Sequence, residues 1–199
     1  MTNLNCPTMR HIKAGDVCTE NFAGLGSVAY FFLKDDINKE KLVADKNVYA
    51  WTNEVFKSDT KGFFKVELKP ESQSFIGENQ GKNKGFNITG QLIIEVVNEE
   101  TSEFLRALNN LDWGCILPDG DEKYQIMYSK TRKVTLDSGA LKTETGAAST
   151  DDRQATLAPV QPGCSYPNLY VTFPEGKGPE DYLDKTITGN ISDRDNQLT

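Results

Sequence analysis

Histidine, closely spaced cysteine pairs and long apolar runs are scarce or missing in this chain of 199 residues. His11 is the single histidine and has no partner motif, so the residues for a Ser-His-Asp or Cys-His catalytic arrangement are almost absent. The four cysteines form no Cys-x-x-Cys pair and are interpreted as free thiols in a reducing compartment. No run of 18 apolar residues is present, and the N-terminus lacks the basic and apolar regions of a signal peptide. These observations predict a cytoplasmic protein with no membrane span and no enzymatic activity.

Two patterns leave room for metal binding. Cys6, His11 and Cys18 are candidate zinc ligands, although their spacing matches no zinc-finger pattern and ordinary packing is the alternative. The paired carboxylates lack the EF-hand spacing and fit turns or solvated loops. These carboxylate pairs are Asp35–Asp36, Asp119/Asp121 and Asp151–Asp152.

Basic residues are fewer than acidic residues in this chain. The chain carries 22 Lys and Arg against 29 Asp and Glu, which gives a net charge of -7. A surface that grips nucleic acid needs clustered Lys and Arg to neutralise phosphates, so this balance argues against such a surface. An acidic protein can still surround DNA without holding it.

The residues that are abundant point to a folded β protein. Hydrophobic residues make up 37% of the chain and charged residues 26%, as in a soluble globular protein. The stretch 86–97 is rich in β-branched residues and predicts a long strand. Residues 98–111 then predict an amphipathic helix with Asn98 as its N-cap. The face predicted to pack on a sheet consists of Phe104, Leu105, Leu108 and Leu111.

Further strands and two long loops are predicted around this unit. The stretch 138–152 is predicted to be a loop, and Pro159 to mark a sheet edge or a bulge. Together they indicate a mainly β fold, an antiparallel β-sandwich or barrel with one packed α-helix. We expect one domain over 1–199, with a core at about 24–175, an N-terminal arm at 1–23 and a C-terminal arm at 174–199. The other predicted strands cover 27–33, 47–56, 63–69, 113–117, 124–128, 132–136, 154–160 and 168–173.

The segment Pro70–Gly85 is predicted to be a long polar loop, and such loops inside compact domains are usually functional or disordered. Phe75 and Ile76 lie in its middle and have the character of buried residues. Two interpretations stay open: the pair packs on its own domain, or it docks into another subunit.

The order of these elements resembles that of the tail tube proteins of long-tailed bacteriophages, a family shared with the tubes of contractile injection systems. The resemblance covers about residues 24–175. The stretches that carry it are Gly26–Leu33, the long loop after the third strand, Phe86–Val97 with its helix, Lys133–Gly139 and Asp151–Leu157.

The resemblance implies a structural virion protein without catalytic or cofactor sites. Its copies would form hexameric rings with sheets joined around a central channel, and the stacked rings would form the tail tube through which DNA is ejected. The arms would bridge rings, and the long loop would contact a neighbouring copy. The implied partners are other copies of the chain, the tape measure protein, the tail terminator and the distal tail or baseplate proteins. The interface residues assigned on this basis are Phe75, Ile76, Gln80, Lys82 and Lys84.

A channel lined with carboxylates would let DNA slide, because it repels phosphates. The alternative function is a β-sandwich binding or adhesion module on a virion or cell surface.

Overall fold

The computed structural model describes residues 24–81, 85–120, 123–146 and 153–186. It contains eleven β-strands in two sheets and one α-helix, and the sheets pack as an open sandwich. The predicted mainly β class is confirmed, and of the two architectures left open the sandwich is the correct one. The strands are β1 (Val28–Leu33), β2 (Val43–Asp45), β3 (Val48–Ala50), β4 (Phe64–Glu67), β5 (Ser74–Asn79), β6 (Phe86–Ile94), β7 (Trp113–Pro118), β8 (Tyr124–Met127), β9 (Thr135–Glu144), β10 (Gln154–Cys164) and β11 (Tyr170–Thr172); the helix is α1 (Glu99–Asn110).

The larger sheet has seven strands in the order β2-β3-β11-β8-β7-β1-β4. All of its neighbours are antiparallel except β3 and β11. β1 is apolar on both faces and lies between β7 and β4, which explains why four of its six residues are buried. The predicted strands 113–117 and 124–128 are present as β7 and β8, which pair as an antiparallel hairpin.

The smaller sheet has four antiparallel strands in the order β5-β6-β10-β9. Its inner face packs on the larger sheet. A side-chain carbon added at Gly90 of β6 would lie 3.1 Å from Met127 of β8, which shows how closely the two sheets approach at this point. Pro159 lies beside a register shift in the pairing of β10 with β9, as the prediction of a bulge required.

An aromatic cluster fills the core near the larger sheet. The Trp51 ring lies 4.7 Å from Phe63 and 5.4 Å from Phe32, measured between centroids, and all three side chains are almost fully buried. Such pairs bury large apolar areas and add a specific geometry to the packing.

Helix α1 closes one side of the sandwich. The Asn98 side chain accepts a hydrogen bond from the Thr101 backbone N–H at 2.8 Å and caps its N-terminus. Leu105 and Leu108 are buried, and the Phe104 ring packs on Phe31 at 5.1 Å.

Leu111 does not belong to the packed face of the helix. Its side chain is 47% exposed because the residue is the C-cap, where the backbone has already left the helical conformation. The assignment of Leu111 to helix packing was therefore wrong, and the apolar face ends at Leu108.

Part of the predicted C-terminal arm lies within the described residues. Residues 174–186 pack on the domain and include a 3₁₀ helix, Pro179–Tyr182. The rest of the C-terminal arm and the N-terminal arm at 1–23 lie outside the described residues, as do Cys6, His11 and Cys18.

Candidate assembly surface

β5 is an edge strand, which corrects the prediction of a long loop over Pro70–Gly85. Among the described residues it pairs only with β6, from Ser74 opposite Gln91 to Asn79 opposite Phe86. The polar composition of β5 led to the prediction of a loop. The strand forms nevertheless, because strand formation depends on packing against neighbours more than on intrinsic propensity.

The two apolar residues of β5 point to opposite faces of the sheet. Phe75 is half-buried and packs against the core, whereas Ile76 is 52% exposed on the outer face. Phe75 thus packs on its own domain, and the docking of Ile76 into another subunit stays a prediction.

The remaining residues assigned to the loop interface divide into two groups. The backbone of Gln80 donates to the Gly85 carbonyl at 2.8 Å, and its side chain donates to Asn87, so Gln80 closes the hairpin between β5 and β6. This places Gln80 in a contact within its own chain. Lys82 and Lys84 lie outside the described residues.

Gly77 of β5 is needed for a close approach. A side-chain carbon at this position would lie 2.2 Å from the backbone oxygen of Pro167, which crosses the inner side of the strand. Any larger residue would push β5 or the 165–169 segment out of place.

β9 is the opposite edge of the same sheet. In the part of the chain that the structure describes it pairs only with β10, and most of its ten residues are exposed. Its register shifts by three residues between Leu136 and Leu141, and Gly139 has a φ of 82° within this bulge. The sequence prediction had assigned 138–152 to a loop, so the larger part of this edge was missed.

The outer face of the four-stranded sheet is mostly polar and nearly neutral, with Ile76, Ile93 and Val160 as its larger apolar members. On β6, Ile88 and Leu92 point into the core, and Thr89 and Gln91 alternate with them on the outer face. Register places Ser74, Glu78, Asn87, Gln154, Thr156, Lys142 and Glu144 on the same outer face. The one lysine among these residues lies 3.0 Å from the Glu144 carboxylate.

The edges of the seven-stranded sheet differ from those of the smaller sheet. Beside β4, Phe63 donates its N–H to the Tyr182 carbonyl at 2.8 Å and accepts from the Asp184 N–H at 3.0 Å. The C-terminal segment therefore covers the chain at the start of this edge. β2, the other edge, has three residues.

Several titratable side chains in the described part of the chain are buried, among them Lys34, Tyr128 and Cys164. No set of three or more His, Cys, Asp and Glu side chains there is placed to hold a metal ion. Lys34 is 3% exposed, donates to the Arg132 carbonyl at 2.7 Å, and has a pKa lowered chiefly by burial. Burial also raises the pKa of Tyr128 to about 12 and that of Cys164 to about 11, which keeps both groups protonated at neutral pH.

Comparisons with known proteins leave the family open: no family model, no curated protein and no solved structure matches the chain. None of the helices in the described residues is long and apolar enough to cross a bilayer. The architecture thus defines a class, an open antiparallel β-sandwich with one helix.

Proposed function

We propose that the protein is a structural subunit of a tail tube, whose copies join into hexameric rings that stack to conduct DNA. The layout of the sequence resembles that family, and the open edges of the four-stranded sheet supply a physical route to a ring. The number six, the stacking and the tape measure, terminator and baseplate partners come from the resemblance alone.

The observation that carries the proposal is the direction of the two open edges. Each strand of the four-stranded sheet is antiparallel to its neighbour, so β5 and β9 run in opposite directions. Rotation about a ring axis preserves the direction of a strand along that axis. β5 of one copy therefore meets β9 of the next as an antiparallel pair, and the sheet continues from copy to copy. Such head-to-tail contacts generate rings when the rotation closes.

An exposed edge strand is a hazard that folded proteins usually blunt or cover. The chain beside β4 is covered by the C-terminal segment, and β2 is short. Residues available for pairing thus concentrate on β5 and β9, which favours one mode of association.

In a ring built this way, the outer face of the four-stranded sheet lines the channel. This wall is rich in amide and hydroxyl groups and differs from the carboxylate lining expected from the acidic composition. A neutral wall with few cations also lets DNA pass, because counterion release on phosphate contacts is what makes binding strong.

The test is whether the purified chain assembles when its concentration is raised. Negative-stain electron microscopy and light scattering are expected to detect rings or tubes with a central hole. Particles that remain monomeric at millimolar concentration would overturn the proposal and favour the binding-module alternative.

A matched pair of variants tests which sheet assembles. Ile76 on β5 and Val43 on β2 are both exposed branched residues on edge strands, at 52% and 61% exposure. An edge lysine disfavours strand pairing. Ile76→Lys is expected to raise the concentration needed for assembly at least tenfold, whereas Val43→Lys assembles like the parent chain. If Val43→Lys impairs assembly and Ile76→Lys does not, the contact lies on the seven-stranded sheet.

A further inference from the structure

The 165–169 segment connects the two sheets and lies against the inner side of β5 on its way. It begins after Cys164, which stands opposite Phe86 in the four-stranded sheet. It ends at Leu169, a buried residue whose carbonyl accepts the Ile126 N–H of the seven-stranded sheet at 2.9 Å. Both ends of the segment are therefore fixed, one in each sheet.

Gly77 is the point where this segment meets β5. A side-chain carbon added at Gly77 would lie 2.2 Å from the Pro167 carbonyl oxygen and 2.6 Å from the Pro167 Cβ. A glycine inside a strand commonly marks such a close approach of another backbone. The segment thus fills the space that a side chain would occupy at the centre of the strand.

The inner side of β5 consequently has two supports. Phe75 packs on the core, and the 165–169 segment lies against Gly77. Pro167 makes the second support stiff, because its ring fixes φ at about −65°. An edge strand that bonds to β6 alone within the described ranges is in this way held from a second direction.

We propose that the 165–169 segment positions β5 for pairing with β9 of a second copy, and that Pro167 is the positioning residue. The inference rests on the proposed ring assembly and concerns the state of the edge strand before the contact is made. A strand that is already held in its paired conformation loses less conformational entropy on association. The backbone entropy of one residue corresponds to about a tenfold change in an association constant.

The first experiment measures β5 in the unassembled chain. Pro167→Gly keeps the carbonyl oxygen beside Gly77 but removes the ring and its restriction of φ. Hydrogen exchange over residues 74–79, followed at concentrations too low for assembly, is expected to become about tenfold faster than in the parent. Exchange in β10, the central neighbour of β6, should not change.

The second experiment measures assembly with the same variant. Pro167→Gly is expected to raise the critical concentration for ring formation about tenfold, because each copy must then order its own edge strand on association. Pro167→Ala keeps the Cβ that approaches Gly77 and should raise it less.

Pro174→Gly is the matched control. It also replaces a proline by glycine in a connecting segment, so it lowers stability through the unfolded chain by the same mechanism. Pro174 follows β11 of the seven-stranded sheet and lies outside the 165–169 segment. The control should leave both the exchange of β5 and the critical concentration unchanged.

Gly77→Ala approaches the same contact from the strand side. The added carbon must displace β5 or the segment, so this variant should impair assembly at least as much as Pro167→Gly. Gly85→Ala is its control, since the nearest atom to its added carbon is the end of the Gln80 side chain at 3.3 Å, which can move. If Gly77→Ala does not fold, the proline variants carry the test alone.

The outcomes separate the two proposals. If the parent forms rings and Pro167→Gly forms them at the same concentration, the segment does not position β5 for assembly, and the ring proposal stands without it. If the parent stays monomeric, the ring proposal falls and the inference falls with it. Equal effects of Pro167→Gly and Pro174→Gly on the critical concentration would attribute both to lost stability and would also overturn the inference.

Discussion

Glu180 ties the C-terminal segment to the larger sheet through one carboxylate. Its Oε1 accepts from the Tyr30 hydroxyl at 2.7 Å and lies 2.9 Å from the Lys65 ammonium. These hydrogen bonds, that of Tyr30 first, lower the pKa of Glu180 below its ordinary value. The residue therefore makes the cover of the β4 edge sensitive to pH.

The sign of this dependence follows from linkage. A carboxylate whose pKa is lower in the folded state stabilises the fold above its unfolded pKa of about 4.3, and this stabilisation is lost as the pH falls through the folded value. We expect Glu180→Gln to cost about 0.5 kcal/mol at pH 7, because the carboxylate is more than half exposed and such pairs contribute little. The difference from the parent, measured by urea unfolding, should diminish as the pH is lowered from 7 to about 3.

Glu175→Gln is the control for Glu180→Gln, since Glu175 is exposed in the same segment. It should match the parent at both pH values. If the difference in unfolding free energy between Glu180→Gln and the parent is as large at pH 3 as at pH 7, the charge of Glu180 is not the cause of the effect.

Some properties of single residues could not be predicted from the sequence. Lys46 and Glu71 have φ of 58° and 57°, a left-handed conformation that glycine and asparagine favour. No local pattern marks Lys46, because the pairing of β2 with β3 imposes its conformation. Asn98, by contrast, could be predicted as an N-cap because capping is a local interaction with the next turn.

At the scale of elements, α1 offers a test with a built-in control. Leu105 is 3% exposed and Leu111 is 47% exposed, although the helical pattern places both on one face. Leu105→Ala is expected to cost about 2 to 5 kcal/mol, the usual range for a buried leucine. Leu111→Ala should cost about 0.5 kcal/mol or less. Urea unfolding of the two variants measures the difference directly, and similar costs would mean that the C-cap leucine is packed in solution.

The elements that sequence reasoning missed share one physical feature. β5 and the C-terminal part of β9 contain glycine, serine and charged residues, and each has a strand partner on one side only within the described ranges. A strand at an edge needs fewer apolar residues, so its sequence resembles a loop. The central strands β1 and β6 bury more side chains and were predicted from their apolar residues.

At the scale of the whole molecule, the sandwich could be predicted, but the arrangement of its edges could not. Apolar strands and one amphipathic helix are enough to indicate a layered β fold. Which strands end a sheet depends on pairings between distant residues, such as Ala155 with Ile94. The candidate site consists of those edges, so its residues on β9 became visible only with the pairing.

The proposed channel wall allows a test of the assembled particle. β6 and β10 are the two central strands of the four-stranded sheet. Thr89 of β6 and Thr156 of β10 lie on its outer face, away from both edges. Changing both to lysine should leave assembly intact and place two cations per copy inside the channel. We expect DNA, measured by fluorescence anisotropy at low salt, to bind such rings at least tenfold more tightly than parent rings. The binding should weaken steeply as salt increases, because each phosphate contact releases a counterion.

The matched control adds the same number of lysines outside the four-stranded sheet. Thr52 and Thr60 are exposed in the segment between β3 and β4, and lysines at these positions add the same two cations per copy. Their rings should bind DNA less tightly than the Thr89→Lys, Thr156→Lys rings, since cations facing one another across a narrow channel act on the same stretch of phosphates. Equal binding by the two double variants would mean that the outer face of the four-stranded sheet is not enclosed, and the channel would have to be sought on another surface.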